Sequence, residues 1–159
     1  LKNYMKRRVF TTWESTPIRV AFQIMTLADV RALPILDDAG KLSGIVTDAD
    51  LIKVAEVTTK EEVTDMKAAT ESDWDWSSSP YLLVSKGVLS FPDAAVATVM
   101  TRDVTAANEL TPVSECAKKM KSHDIDQMPV LDAHGELAGM TYDTTLLIAL
   151  VEALPKEGG

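Results

Sequence analysis

The sequence predicts an α+β fold that contains two copies of a β-α-β-β-α unit, separated by a long connection. The main observation is an internal repeat: at an offset of 95 residues, prolines, glycines and aspartates recur in one register without a gap. The matched pairs include Met5/Met100, Val9/Val104, Pro17/Pro112, Met25/Met120, Pro34/Pro129, Asp37/Asp132, Gly40/Gly135, Gly44/Gly139, Asp48/Asp143 and Leu51/Leu146. Short apolar runs alternate with helical spacing in both copies, which indicates mixed secondary structure.

Each unit is expected to open with a short extended run, at 8–12 and at 103–107, and then to turn into a helix. Proline fits the start of a helix, because its missing N–H would be unpaired there. Thr16 (or Ser15) and Thr111 are candidate N-caps for the two helices. Apolar residues then share one helix face in each copy. They are Ile18, Phe22 and Met25 in the first copy and Val113, Ala117 and Met120 in the second.

The second half of each unit predicts two strands and a second helix. The strands are expected at 33–36 and 42–47, and again at 128–131 and 137–142. Because proline cannot donate to a β-ladder, Pro34 and Pro129 predict a strand start or an edge strand. Gly40 and Gly135 are expected to supply a positive φ in the intervening turn. The second helices are expected to begin at Asp48 and Asp143, directly after the last strand.

The repeat divides the chain into four parts. Repeat 1 spans 1–56, a connection spans 57–97, repeat 2 spans 98–154 and a tail spans 155–159. Within the connection, 60–69 has helical composition, 73–80 is typical of a loop, and the apolar pieces 81–84 and 88–91 are expected to pack on the core. Trp74 and Trp76 either pin the connection to the body of the protein or stack on a base or partner.

Composition and charge exclude several classes of protein. The chain has 159 residues, 46 % of them hydrophobic, and a net charge of −8. Nucleic-acid-binding surfaces normally carry a basic stripe, so nucleic acid is not an expected partner. No apolar run approaches the ~18 residues of a membrane span, and the polar residues 1–5 do not resemble a signal peptide. We therefore expect a cytoplasmic protein with no membrane span.

Side chains suited to catalysis or to metal binding are scattered along the sequence. Cys116 is the single cysteine, and His123 and His134 stand apart from it. No Ser-His-Asp or Cys-His set has a plausible spacing. Cys116 is expected to be a buried helical thiol, and Asp37 to have a turn role. The sequence therefore predicts neither an enzyme nor a metal site nor a required cofactor.

The doubled motifs resemble those of a known family, the tandem cystathionine-β-synthase (CBS) domains, also called the Bateman module. The motifs are Val99-Met-Thr, Thr-Pro opening a helix, Pro-Ile/Val-Leu-Asp, and Gly-Ile-Val-Thr followed by Asp. The resemblance implies that the two units pack sheet to sheet with pseudo-two-fold symmetry and two clefts between them. It further implies a homodimer, a regulatory role toward an unknown partner protein, and an adenosine-containing ligand such as AMP, ADP, ATP or S-adenosylmethionine.

The stretch GIVTDAD, residues 44–50, carries the predicted ligand chemistry. Thr47 ends a strand where a helix begins, so free N–H groups and the positive end of the helix dipole are expected to attract a phosphate. Asp50 can accept hydrogen bonds from both hydroxyls of a ribose, although it also fits a purely structural role at the helix start. Arg31 is a candidate for neutralising a phosphate, with an exposed surface arginine as the alternative. The remaining expected contacts, which wall in the adenine, are Thr12, Trp13, Ala32, Leu33, Pro34, Ile45 and Val46.

The second copy is predicted to be degenerate as a ligand site. Tyr142 replaces Thr47, Thr145 replaces Asp50 and Asp126 replaces Arg31, so the charged hydrogen bonds are lost and a repulsive charge is added. Tyr142 is also large enough to fill part of an empty cleft. The other residues assigned to this second site are Ala107, Gln127, Met128 and Pro129.

Three functions are consistent with the sequence. The leading interpretation is a regulatory module with one competent and one degenerate adenosine site. A second is the regulatory fragment of a larger transporter or metabolic enzyme, which a chain beginning at Leu1 also fits. A third is a dimerisation or interaction module with vestigial ligand sites, in which the connection would be the functional surface.

Overall fold

The computed structural model of the chain describes residues 1–59, 81–84 and 87–155. It contains the two predicted β-α-β-β-α units. Repeat 1 comprises β1 (Thr12–Trp13), α1 (Ile18–Ala28), β2 (Ala32–Leu36), β3 (Leu42–Thr47) and α2 (Asp48–Ile52). The connection contributes β4 (Glu56–Thr59), β5 (Tyr81–Val84), β6 (Gly87–Ser90) and a short 3₁₀ helix (Val96–Thr98). Repeat 2 comprises β7 (Ala107–Asn108), α3 (Val113–His123), β8 (Gln127–Leu131), β9 (Leu137–Tyr142) and α4 (Asp143–Glu152).

The two repeats build the same three-stranded sheet. In repeat 1, β1 pairs in parallel with β2, and β2 pairs antiparallel with β3. Repeat 2 has the same order, β7-β8-β9, and the register shift after Ile35 recurs after Val130. Gly40 and Gly135 have φ of +79° and +76°, as predicted for the turns that join the last two strands. The predicted α+β class and its doubled unit are confirmed.

Pro34 and Pro129 lie in the central strand of each sheet, so the prediction of a strand start or an edge strand is wrong. The structure accommodates Pro34 because β1 pairs with β2 only at Ile35 and Leu36. At Pro34 itself, the named strands pair on one side only, with Ile45 of β3. A central strand therefore tolerates proline where one neighbour is short.

The first helix of each repeat begins one residue later than a threonine cap would require. Pro17 and Pro112 hold the cap positions, and neither helix start has a side-chain cap. Thr16 and Thr111 instead accept hydrogen bonds from the N–H groups of Trp13 and Asn108, which tightens the turn after β1 and β7. The prediction of threonine N-caps is therefore wrong, although both hydroxyls order the same turn.

The opening segment of each repeat packs on the sheet of the other repeat. We name residues 5–9 and 100–104 the lead-in segments. Lys6 pairs with Met140 of β9, and Thr101 pairs with Ile45 of β3. These four positions exchange under the 95-residue offset, so the contact is reciprocal, as a pseudo-two-fold axis requires. Of the predicted extended runs at 8–12 and 103–107, only Thr12 and Ala107 lie in a strand of their own sheets.

Apolar packing forms a core in each repeat. The first contains Ile18, Leu33, Ile35 and Val46, all fully buried, and the connection adds Phe91 to it. The Phe91 ring lies 5.0 Å from the Phe22 ring, between centroids. The second core contains Cys116, Met120, Met128 and Leu146. Val88 and Phe91 are buried as expected, and Cys116 is a buried thiol whose pKa is raised by that burial.

Two expectations about the connection fall on residues that the structure does not describe. The helix at 60–69 and the loop at 73–80, with Trp74 and Trp76, lie outside the described residues. Around them, β4, β6 and β5 form a separate antiparallel sheet in that order. Among the described residues, no helix is both long and apolar enough to cross a membrane.

Candidate functional site

A cleft of about 600 Å³, which we name the first cleft, lies between the two repeats. It adjoins the end of β3 and the start of α2, where the sequence predicts the ligand site. Repeat 1 contributes Arg31, Ile45 and Thr47 to its walls, and repeat 2 contributes Val104 and Pro129. The walls come from both repeats because the second lead-in segment crosses to β3 and brings repeat 2 against it.

Thr47 and Asp50 close the start of α2 by a reciprocal pair of hydrogen bonds. The Thr47 hydroxyl accepts from the Asp50 N–H at 3.3 Å, and Asp50 Oδ2 accepts from the Thr47 N–H at 3.0 Å. This arrangement is a capping box. The Thr101 hydroxyl lies 3.4 Å from both carboxylate oxygens of Asp50. Since Thr101 lines the first cleft, the Asp50 carboxylate lies behind the cleft wall and accepts a hydrogen bond from a residue of that wall.

The N–H groups at the start of α2 are not free, so that part of the phosphate prediction is wrong. The Asp48 N–H donates to the Arg31 carbonyl at 3.1 Å. The Ala49 N–H donates to Asp48 Oδ1 at 2.8 Å, and the Asp50 N–H donates to Thr47. Two acidic side chains in the first turn already complement the helix dipole. The capping residues therefore take the place that the sequence assigned to an anion.

Arg31 lies at the first cleft but is engaged by two carboxylates. Its Nε donates to Asp48 Oδ2 at 3.1 Å, and its Nη1 donates to Asp126 Oδ2 at 3.4 Å. The hydrogen bond with Asp48, together with the charges of both aspartates, raises the pKa of Arg31. The Asp126 contact joins repeat 1 to repeat 2. The cation expected to meet a phosphate thus meets the acidic residue that holds the same position in the other repeat.

The predicted adenine wall divides between the cleft and the interior. Ile45 lines the first cleft, whereas its neighbour Val46 is fully buried in the core. The other predicted wall residues are not among the cleft-lining residues, and all but one of them are buried. Thr12, Ala32, Leu33 and Pro34 are buried, and Trp13 is 51 % exposed. Adjacent residues of a strand point to opposite faces of a sheet, so a continuous stretch of strand cannot form one wall.

The residues predicted for the degenerate site are also divided. Tyr142, Thr145 and Gln127 line a second cleft of about 380 Å³, and Gln127 lines both clefts. Pro129 lines the first cleft, while Ala107 and Met128 are buried in the second core. The prediction that Pro129 belongs to the second cleft is therefore wrong. The sequence does not reveal that each cleft is lined in part by residues of the opposite repeat.

Tyr142 occupies the place of Thr47 in the second cleft. The Lys6 ammonium lies 5.2 Å from the centre of the Tyr142 ring, within the range of a cation–π contact. Burial raises the pKa of the Tyr142 hydroxyl. Both residues line the second cleft. The ring and the lysine therefore take up part of the space that a ligand would use.

The sequence interpretation missed the lead-in residues of the first cleft. Thr101, Asp103 and Val104 line it, together with the adjoining Thr105. The matches Met5/Met100 and Val9/Val104 placed these residues inside the repeat. No sequence signal, however, states which sheet such a segment joins.

Carboxylates dominate the first cleft. Among the described residues, Arg31 is its only cationic lining side chain, against five aspartates. The aspartates are Asp48, Asp103, Asp124, Asp126 and Asp143. Arg31 pairs with Asp48 and Asp126. The other three have no ion pair within the described part of the chain, so the cleft has a strongly negative character.

Both repeats match a family of known proteins. The family model described as the CBS domain matches residues 1–57 and 96–152. A CBS domain-containing protein of Dictyostelium discoideum is 29 % identical over 154 residues, which cover 97 % of this chain and 92 % of the relative. The two matched segments coincide with the two repeats of the structure.

Two solved structures share the architecture. The CBS domain pair of protein MJ0100, in complex with 5′-methylthioadenosine and S-adenosyl-L-methionine, has a TM-score of 0.65 and 22 % identity, with 96 % of each chain covered. CBSX2 in complex with AMP has a TM-score of 0.66 and 20 % identity, with 95 % of each chain covered. These likenesses establish the fold.

Proposed function

Because the chain belongs to the CBS domain family, we propose that it is a non-catalytic regulatory module that binds one adenosine-containing ligand in the first cleft. The ligand-bound state then acts on a partner protein. CBS domain pairs that share this fold have been solved with 5′-methylthioadenosine, S-adenosyl-L-methionine and AMP. Adenosine is common to those ligands, which supports the ligand class proposed for this chain.

The observation that carries the proposal is the first cleft itself. It measures about 600 Å³, within the range of small-molecule sites, and its lining combines apolar side chains with polar and charged ones. Ile45, Val104, Ile125 and Pro129 offer apolar surface to a purine. A ribose hydroxyl that displaced the Thr101 hydroxyl would reach the Asp50 carboxylate behind it. The proposed ligand therefore needs a flat apolar base joined to a diol.

The walls of the first cleft also suggest how binding is transmitted. Ile45 belongs to repeat 1, whereas Val104 and Pro129 belong to repeat 2, so one ligand touches both. A ligand that contacts two bodies favours the relative packing in which both sets of contacts are made. We expect the bound form to hold the repeats in one arrangement, which a partner protein then recognises.

The second cleft is not the proposed ligand site. Thr145 stands where repeat 1 has Asp50, and it offers a hydroxyl in place of a carboxylate. Lys6 and Tyr142 occupy part of the space. The proposal is therefore one ligand for each chain.

Calorimetric titration with adenosine compounds tests this proposal. Asp50→Asn removes the charge of the carboxylate but keeps an oxygen that can accept from the Thr47 N–H, so α2 retains an acceptor at its start. We expect one ligand per chain, and at least about ten-fold weaker binding in Asp50→Asn. Thr145→Ala, at the equivalent position in the second cleft, is the matched control and should leave affinity unchanged. Equal loss in both variants, or binding of two ligands per chain, would contradict the single-site proposal.

Exposed apolar side chains on α4 favour self-association in addition. Leu147, Ile148 and Val151 are each 59–67 % exposed on this helix. Apolar residues concentrated on one exposed element are typical of an interface. We propose that two copies of the chain associate through the α4 surface. Sedimentation equilibrium of Ile148→Glu and of the unaltered protein measures this association. A dimer that binds none of the adenosine compounds would instead support an interaction module with vestigial sites.

A further inference from the structure

We propose that the first cleft selects adenosine ligands whose 5′ substituent carries no phosphate, and that a cationic substituent, such as a sulfonium, binds more tightly than an anionic one. This inference rests on the proposed function, since it concerns the ligand class of the same cleft. It is carried by the charges, the hydrogen bonds and the repeat symmetry of the described residues.

The first step is the balance of charge along the cleft. Of its five aspartates, only Asp48 and Asp126 are paired, and both share the single guanidinium of Arg31. Asp103, Asp124 and Asp143 have no cationic partner in the described part of the chain. A phosphate at neutral pH carries about −1.5 to −2 charges. It would enter a cleft in which every charged side chain without an ion-pair partner is also negative.

The second step concerns the groups that normally hold a phosphate. The N–H groups of Asp48, Ala49 and Asp50 all donate to acceptors within the protein. Arg31 could release a carboxylate to bind a phosphate, but Asp48 or Asp126 would then lose its only cationic partner in the described part of the chain. A phosphate therefore gains no unpaired donor at the helix start, and it must compete with carboxylates that are already in place.

The third step compares equivalent positions in the two repeats. Lys6 corresponds to Thr101, Arg8 to Asp103, and Arg31 to Asp126 under the 95-residue offset. At each of these three positions repeat 1 carries a cation, whereas repeat 2, which supplies one wall of the first cleft, carries a neutral or acidic residue. The same fold can thus hold basic residues here. The first cleft keeps Arg31, but its two lead-in positions carry Thr101 and Asp103 in place of cations, which is the opposite of what a nucleotide phosphate needs.

A ligand without phosphate meets none of these obstacles. A thioether at the 5′ carbon is uncharged, and a sulfonium adds a positive charge that Asp103, Asp124 and Asp143 can approach. Charge complementarity acts on specificity more than on overall affinity, because a like charge in the site rejects the wrong ligand. The expected order of affinity is S-adenosylmethionine, then 5′-methylthioadenosine, then AMP and ADP.

The test is competitive calorimetry with these four compounds in magnesium-free buffer, so that each phosphate keeps its full charge. We expect AMP to bind at least about ten-fold more weakly than 5′-methylthioadenosine. In the double variant Asp103→Asn with Asp124→Asn, AMP affinity should rise at least about five-fold, while 5′-methylthioadenosine should change by less than about two-fold. Asparagine tolerates the left-handed backbone of Asp124, whose φ is 52°.

The double variant Asp38→Asn with Asp93→Asn changes two exposed aspartates outside the lining of both clefts, and it is the control for the loss of two negative charges. AMP binding as tightly as 5′-methylthioadenosine would overturn the charge inference and leave the adenosine site standing. An AMP affinity that rises no more in Asp103→Asn with Asp124→Asn than in this control would also overturn it. If none of the four compounds binds the unaltered protein, the proposed function fails together with the inference.

Discussion

Arg31 Nη1 lies 3.4 Å from Asp126 Oδ2, and these two residues hold the same position in the two repeats. The same relationship recurs where Lys41 Nζ lies 3.3 Å from Glu136 Oε1, again 95 positions apart. A residue near a two-fold axis faces its own counterpart, so identical charged residues there would repel. At both positions the repeats have diverged to opposite charges. The pairs therefore mark the pseudo-two-fold axis and stabilise the contact across it.

The first prediction concerns this charge pair. Arg31→Asp places three carboxylates together, because Asp48 and Asp126 remain, and it should lower Tm by about 1–2 °C at low salt. The double exchange, Arg31→Asp with Asp126→Arg, should recover most of that loss. Both side chains are more than half exposed, so the effect should shrink with added salt. Thermal unfolding at low and high ionic strength measures it, and a loss that the exchange fails to recover would contradict the pairing.

The second prediction compares two equivalent glycines. A Cβ added to Gly139 would meet the backbone carbonyl oxygen of Lys6, whereas one added to Gly44 would lie 2.5 Å from the flexible side chain of Met100, at its Sδ. A methionine can move aside, but the Lys6 carbonyl is held by the Met140 N–H at 2.9 Å. We expect Gly139→Ala to cost about 1–3 kcal/mol of unfolding free energy, and Gly44→Ala to cost less.

Urea denaturation of the two alanine variants measures the difference. Each serves as the control for the other, because the substitution and the strand position are the same. Equal losses would show that the lead-in segments do not differ in how tightly they hold the sheet beneath them.

The third prediction concerns acid stability. Asp132 Oδ1 accepts from the N–H groups of His134 and Glu136, at 2.8 and 3.0 Å. The backbone hydrogen bond from Glu136 is the largest of the causes that lower the pKa of Asp132 below its ordinary 3.8. The stabilisation from its charge is therefore complete above 3.8 and is lost as the pH falls from 3.8 through the lower folded-state pKa. The stability difference between the unaltered protein and Asp132→Asn should shrink across that interval.

Denaturation at a series of pH values from 7 to below 3.8 measures this difference. Asp38→Asn, in the corresponding turn of repeat 1, controls for the removal of one negative charge. A difference that stays constant down to the most acidic measurement would contradict the assignment.

Much of the fold could be predicted because local chemistry determines it. Gly40 needs a positive φ, and both the bounds of β3 and the start of α2 at Asp48 lie where the sequence places them. The faces of the strands were harder to predict. Ile45 lines the cleft and Val46 lies in the core, but both sheet faces are covered by apolar residues, so the sequence has no polar–apolar alternation to distinguish them.

The composition of the site could be predicted only in part. Thr47 and Arg31 do lie at the first cleft, because Thr47 ends β3 at the point where it pairs with Ala32, the residue after Arg31. Val104 and Thr101 could not be assigned to it, since the crossing of a lead-in segment depends on tertiary packing alone. The same limit explains Pro129, which repeat position alone placed in the other cleft.

The crossing of the lead-in segments has a consequence for the order of synthesis. Residues 5–9 are made well before residues 137–142, yet Lys6 pairs with Met140 and the Tyr4 carbonyl accepts from the Thr141 hydroxyl at 2.9 Å. The lead-in segment of a nascent chain therefore waits, unpaired, until nearly all of repeat 2 has left the ribosome. Contacts of such long sequence separation are slow to form. A chain stalled before residue 137 should hold residues 5–9 open to protease, and release of the last strand should protect them.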